Sequence, residues 1–83
     1  MIIRFRPHAH ERLIERGTTE EEVKKTVREG EQFEAKFDRV GFRRNIIFNH
    51  KWRGQYYTTK QIEAYAVKRS YGWLVISVIT RYF

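Results

Sequence analysis

Arg43, Lys51, Arg53 and Arg81, interleaved with Trp52, Tyr65 and Tyr82, are the residues of this chain whose types and spacing suit phosphodiester chemistry. Cutting RNA without a metal needs a base for the 2′-OH, stabilisation of the charge that builds on the phosphorane, and a proton for the 5′-oxygen leaving group. Guanidinium and ammonium clamps meet the second need, and such preorganised electrostatics are often the largest catalytic contribution. Arg81 and Tyr82, near the end of an otherwise apolar C-terminal run, and Arg43 on an earlier strand are therefore expected to be catalytic. Tyr82 or His50 could handle protons, although a phenol titrating near pH 10 is a poor base. A second candidate pair lies near the N-terminus. His8 stands one helical turn before Arg12, and an imidazole titrating near pH 6.5 beside a guanidinium can serve as acid or base. Arg43, Arg44, Lys51, Trp52, Arg53 and Lys60 are expected to bind nucleic acid, the cations on phosphates and the indole against a base.

The charge is unevenly spread. Residues 1–38 carry 8 Lys or Arg against 9 Asp or Glu, whereas residues 39–83 carry 9 against a single acid, Glu63. All of the formal net charge of +7 thus belongs to the second part, which attracts polyanions if its cations share a surface. With 83 residues the chain has room for one domain, 1–83. It contains no cysteine, so the core must form from apolar packing, to which 13 aromatic residues contribute. A cytoplasmic setting is expected, with no membrane partner: no apolar run approaches the roughly 20 residues of a span, and the N-terminus lacks a signal-peptide core. Phosphate-cradling glycine loops are absent, which argues against nucleotide-dependent chemistry. His8, His10 and His50 have neither the spacing nor an acidic cluster for a metal, and no cofactor is expected.

These side chains need elements to hold them. Ile2 to Phe5 reads as a short strand, and Pro7 opens a helix running to about Arg16, with Gly17 ending it in a left-handed conformation. Ala9, His10, Leu13 and Ile14 fall on one side of this helix, with His10 expected as a packed histidine. A capping box, Thr19 to Glu22 or Thr18 to Glu21, starts a second helix that buries Val23 and Val27 and stops at Gly30. The period then changes to two: Phe33 to Phe37 alternates, Arg39 to Gly41 turns, and Phe42 to Asn49 returns with an apolar even side and a polar odd side. His50 to Gly54 is expected to be a loop, Ile62 to Arg69 a strand, and Trp73 to Phe83 a final strand in a central position. The predicted fold is α+β, β-α-α-β-β-β-β, with two helices on one face of a mostly antiparallel sheet and the other face free.

The run His8-Ala9-His10-Glu11-Arg12-Leu13-Ile14-Glu15-Arg16-Gly17, followed by Thr19-x-x-Glu22-Val23, resembles the bacterial family designated domain of unknown function 4258, whose mark is H-A-x-x-R-[ML]-x-x-R-G ahead of a second helix. The resemblance extends through Gly41 to Arg44 and Trp52 to Tyr57 to the closing Val78 to Phe83. That family is similar in element order to the RelE/ParE-like (BrnT-like) toxins. The resemblance implies a toxin of a type II toxin–antitoxin system, with RNA and an antitoxin protein as partners and cleavage of mRNA on or off the ribosome. Its RelE-like branch draws Arg, Lys and Tyr from the sheet and C-terminal segment, which Arg81 and Tyr82 match in type and location. The family mark itself lies on helix one, at His8, Arg12 and Arg16. The alternative is a noncatalytic module that binds nucleic acid or protein, including a ParE-like gyrase inhibitor.

Overall fold

A computed structural model describes residues 1–83 as β1 (Ile2–Phe5), α1 (Pro7–Arg16), α2 (Glu20–Glu29), β2 (Glu31–Glu34), β3 (Val40–Trp52), β4 (Gln55–Arg69) and β5 (Gly72–Tyr82). The element order and α+β class are those read from the sequence. The five strands form one sheet in the order β1-β5-β4-β3-β2. Neighbours run antiparallel except β1, which pairs parallel with β5. The chain leaves β1 at one edge, crosses the sheet as two helices and returns at the other edge as β2. β5 is accordingly an interior strand, and β4 occupies the centre.

Both helices cover the same face. Leu13 from α1 and Val23 and Val27 from α2 join Phe42, Ile62, Ala64, Val75 and Val78 in one apolar core. Pro7 occupies the first turn of α1, and Gly17 closes it at φ 72°, its N–H donating to the Ile14 carbonyl while the Thr18 N–H donates to that of Leu13. α1 buries Ala9 and Leu13, but Ile14 is 86% exposed and His10 points outward to Glu20, 3.2 Å away. A short helix lying on a flat sheet buries a narrow i,i+4 stripe, and the next residue round is turned by about 100°. His10 and Ile14 are on the wrong side of that margin. At α2 the capping box forms on Thr19 and Glu22, with both reciprocal bonds made.

The strands differ from expectation at their ends. β2 stops at Glu34, because Phe37 and Asp38 adopt φ of 62° and 57° and turn the chain left-handed. β3 continues through His50, Lys51 and Trp52, and β4 starts at Gln55, so the expected loop shrinks to Arg53-Gly54. Both turn residues have positive φ, 51° and 85°, the geometry that matches the twist of a two-residue hairpin. A bulge between Ile47 and His50, with Asn49 at φ 49°, bends this hairpin. Its tip lies against the end of α1: Arg53 Nη2 donates to the Glu15 carbonyl at 2.8 Å, and Trp52 stacks on Tyr82 with centroids 5.2 Å apart.

Candidate functional site

Side chains alternate across a strand, so the register decides which cations share a surface. Phe42, Arg44 and Ile46 of β3 pair with Ala64, Ile62 and Lys60 of β4, and these residues face the helices. Arg43 pairs with Glu63 and Gly41 with Tyr65, and these face away. In β5, Thr80 and Tyr82 reach α1, which sends Arg81 to the same helix-free side as Arg43.

Four side chains from three adjacent strands converge on this face. Arg43 Nε and Arg81 Nη1 each lie 2.8 Å from Glu63 Oε2, and the Tyr65 hydroxyl donates to Glu63 Oε1 at 2.8 Å. Glu31, paired with Arg43 on β2, adds a looser contact at 3.8 Å. The Glu63 side chain is 4% exposed while those of Arg43 and Arg81 are 37% and 50% exposed. The carboxylate is thus sunk between two guanidiniums that solvent and solutes can reach. Burial alone would raise the Glu63 carboxyl, but the hydrogen bonds from Arg81, Arg43 and Tyr65 outweigh it and hold it at about 2. For Tyr65, burial and then the bond to Glu63 push the phenol above its ordinary value, so it stays protonated. Counting Glu31, the charges of the cluster balance, and what the exposed guanidiniums offer an anion is their outward N–H donors.

Beside this cluster is an open hollow of about 400 Å³. The rings of Phe33, Phe37 and Tyr65 line it, with Lys36, Arg39 and Ser77. Phe33 and Tyr65 meet edge to face at 6.0 Å above Gly41, where any Cβ would collide with the Phe33 ring.

The structure brings together Arg43 and Arg81 and disperses the remaining expected site residues. Tyr82 points into the helix side, where its hydroxyl donates to the Arg16 carbonyl at 2.8 Å and burial raises its phenol. Lys60 is 4% exposed and donates to the Gly17 carbonyl at 2.8 Å and Glu22 Oε1 at 2.9 Å, so its ammonium ties the sheet to the helices and offers nothing to a nucleic acid. Arg44 is likewise turned inward, onto Thr26 Oγ1 and the Glu22 carbonyl. Trp52 and Arg53 are engaged with Tyr82 and α1, whereas Lys51 is exposed on the far hairpin. His8 is exposed on α1, Arg12 pairs with Glu15 at 3.5 Å, and His50 packs at the Phe48 ring, all away from Glu63. The cations of residues 39–83 therefore do not share one surface, and Arg43 and Arg81 form a compact pair at Glu63.

Glu63, at the centre of this candidate site, is the residue that the sequence reading did not single out. Its signal was present: a lone acid in a basic half, two positions from Tyr65 and hence on the same side of a strand. No three His, Asp or Glu side chains gather where they could hold a metal. Comparison with protein-family models, with curated proteins and with solved structures finds no match to this chain.

Proposed function

We propose that the helix-free face binds single-stranded RNA, and that the chain is a RelE-like toxin of a type II toxin–antitoxin system, a metal-independent endoribonuclease acting on mRNA and restrained in the cytoplasm by an antitoxin. The observation that carries this reading is the sunken Glu63 carboxylate between the reachable guanidiniums of Arg43 and Arg81. A phosphodiester arriving on this face takes donors from both arginines, which then stabilise the phosphorane. Each bond withdrawn from Glu63, together with the added negative charge, raises its pKa from the resting value near 2 and makes it a stronger base. Glu63 then removes the 2′-OH proton. The 2′-oxygen attacks phosphorus, the bond to the 5′-oxygen breaks, and the leaving oxygen takes its proton from water, the Tyr65 hydroxyl being committed to Glu63, giving a 2′,3′-cyclic phosphate and a free 5′-hydroxyl.

The same low resting pKa favours the second reading, a noncatalytic binding module, because an ionised carboxylate so well solvated by arginines is a weak base until something displaces them. Purified protein incubated with mRNA, with and without ribosomes, separates the two. Cleavage that leaves cyclic phosphate ends and is abolished in a folded Glu63→Gln variant supports the nuclease. Intact RNA in both conditions, alongside salt-sensitive binding, supports the module and overturns the nuclease.

A further inference from the structure

The hollow beside the arginine site has features that phosphate binding alone does not require. Phe37 stands at its mouth with φ 62° and 82% of its surface exposed. A bulky aromatic in the left-handed region is a genuine outlier, and such strain concentrates where a ligand is held. The hollow also shares walls with the arginine site. The Tyr65 ring lines it while the Tyr65 hydroxyl holds Glu63, and the Phe33 ring lines it while the Arg43 guanidinium lies 4.5 Å over that ring. Whatever enters the hollow is one side chain removed from a phosphate on Arg43 and Arg81.

We infer that the hollow bounded by Phe33, Phe37 and Tyr65 is a base subsite selective for guanine, serving a nucleotide whose phosphate lies on Arg43 and Arg81. This rests on the RNA-binding reading of the face and adds its sequence preference. Aromatic rings give any base a stacking surface, so selectivity must come from the polar groups. Lys36 and Arg39 are donors, and Ser77 can donate as well. Guanine presents two acceptors on one edge, O6 and N7, to which arginine or lysine bonds in bidentate fashion. Adenine places an amino donor where guanine has O6, so it opposes donor with donor. Pyrimidines lack the N7 partner altogether. Glu34 also borders the hollow, and guanine's other edge carries N–H donors for a carboxylate.

Fluorescence anisotropy with short 2′-fluoro RNAs, which cannot be cleaved through a 2′-OH, tests the inference. The probes are oligouridine and the same strand with one central guanosine, adenosine or cytidine. The guanosine strand is expected to bind about tenfold more tightly than the other three. In Phe37→Ala and, separately, Arg39→Met, each checked for native circular dichroism, the ratio is expected to fall toward one. Equal binding of the four strands by the wild-type protein, or a guanosine preference that survives both substitutions, overturns the subsite while leaving RNA binding intact. Failure of every strand to bind overturns the RNA-binding reading itself, and the subsite with it.

Discussion

Arg81 reaches Glu63 from two residues along the neighbouring strand, Nη1 to Oε2 at 2.8 Å, and meets the oxygen already bonded by Arg43. A carboxylate on a side chain only 4% exposed at the centre of a sheet can remain ionised only if donors replace its lost hydration. Here the replacement comes from the half-exposed heads of long side chains. On the proposed function, an incoming anion would compete with Glu63 for these guanidiniums.

Glu63 therefore makes stability depend on pH in a defined window. Its folded pKa, about 2, lies below the ordinary 4.5, so its contribution is fully present above about pH 4.5 and disappears as pH falls toward 2. The shift corresponds to about 3 kcal/mol. Thermal melts of wild type and Glu63→Gln between those limits should converge at low pH, the variant being less stable at neutral pH and flatter across the window. Parallel curves would mean that ionised Glu63 does not stabilise the fold.

Arg81→Ala is expected to weaken RNA binding at least tenfold and to reduce the salt slope of binding by about 0.7 for each phosphate left without its cation. Lys68→Ala is the comparison, because Lys68 lies 4.7 Å over the Trp73 ring on the helix side and faces no part of the Glu63 cluster. Anisotropy at several salt concentrations reads both numbers. Equal losses in the two variants would mean that binding follows total charge and not the arginine pair.

Much of this fold was legible because helix caps and strand alternation are local. Pro7, Gly17 and the Thr19–Glu22 box set the helices, and the even-odd pattern of β3 set its faces. That same pattern puts Arg44 with Phe42 and Ile46 on the helix side, which is incompatible with the nucleic-acid surface expected of it. Lys60 was harder. Its burial depends on the Gly17 carbonyl and Glu22, 43 and 38 residues away, and no local pattern announces a buried ammonium. The strand at 55–61 was missed because its polar residues gain their partners from β3 and β5, and its pairing spans the bulge at Ile47.

The inward position of Lys60 has a measurable consequence. Lys60→Met keeps the aliphatic stem and removes the ammonium, leaving the Gly17 carbonyl and Glu22 Oε1 each short of a donor. Urea unfolding should show a loss of about 2 kcal/mol. An unchanged midpoint combined with weaker RNA binding would instead return Lys60 to the interface.

Two glycines with similar backbone angles separate strain from space. Gly17 and Gly54 have φ of 72° and 85°, so alanine at either position meets the left-handed penalty of about 1–2 kcal/mol. At Gly54 nothing lies within 4 Å of an added Cβ. At Gly17 that Cβ would overlap the Tyr82 hydroxyl and come within 2.7 Å of the Trp52 ring, the two groups that lock the hairpin tip onto α1. Gly54→Ala should therefore cost about 1 kcal/mol and Gly17→Ala about 3 kcal/mol or more, the excess arising from the packing of Trp52 and Tyr82. For a domain whose total stability is on the order of 5 kcal/mol, the second change leaves little reserve, and its unfolding midpoint should fall well below that of Gly54→Ala. Equal losses would show that the hairpin tip yields freely and that its packing on α1 does not hold the fold together.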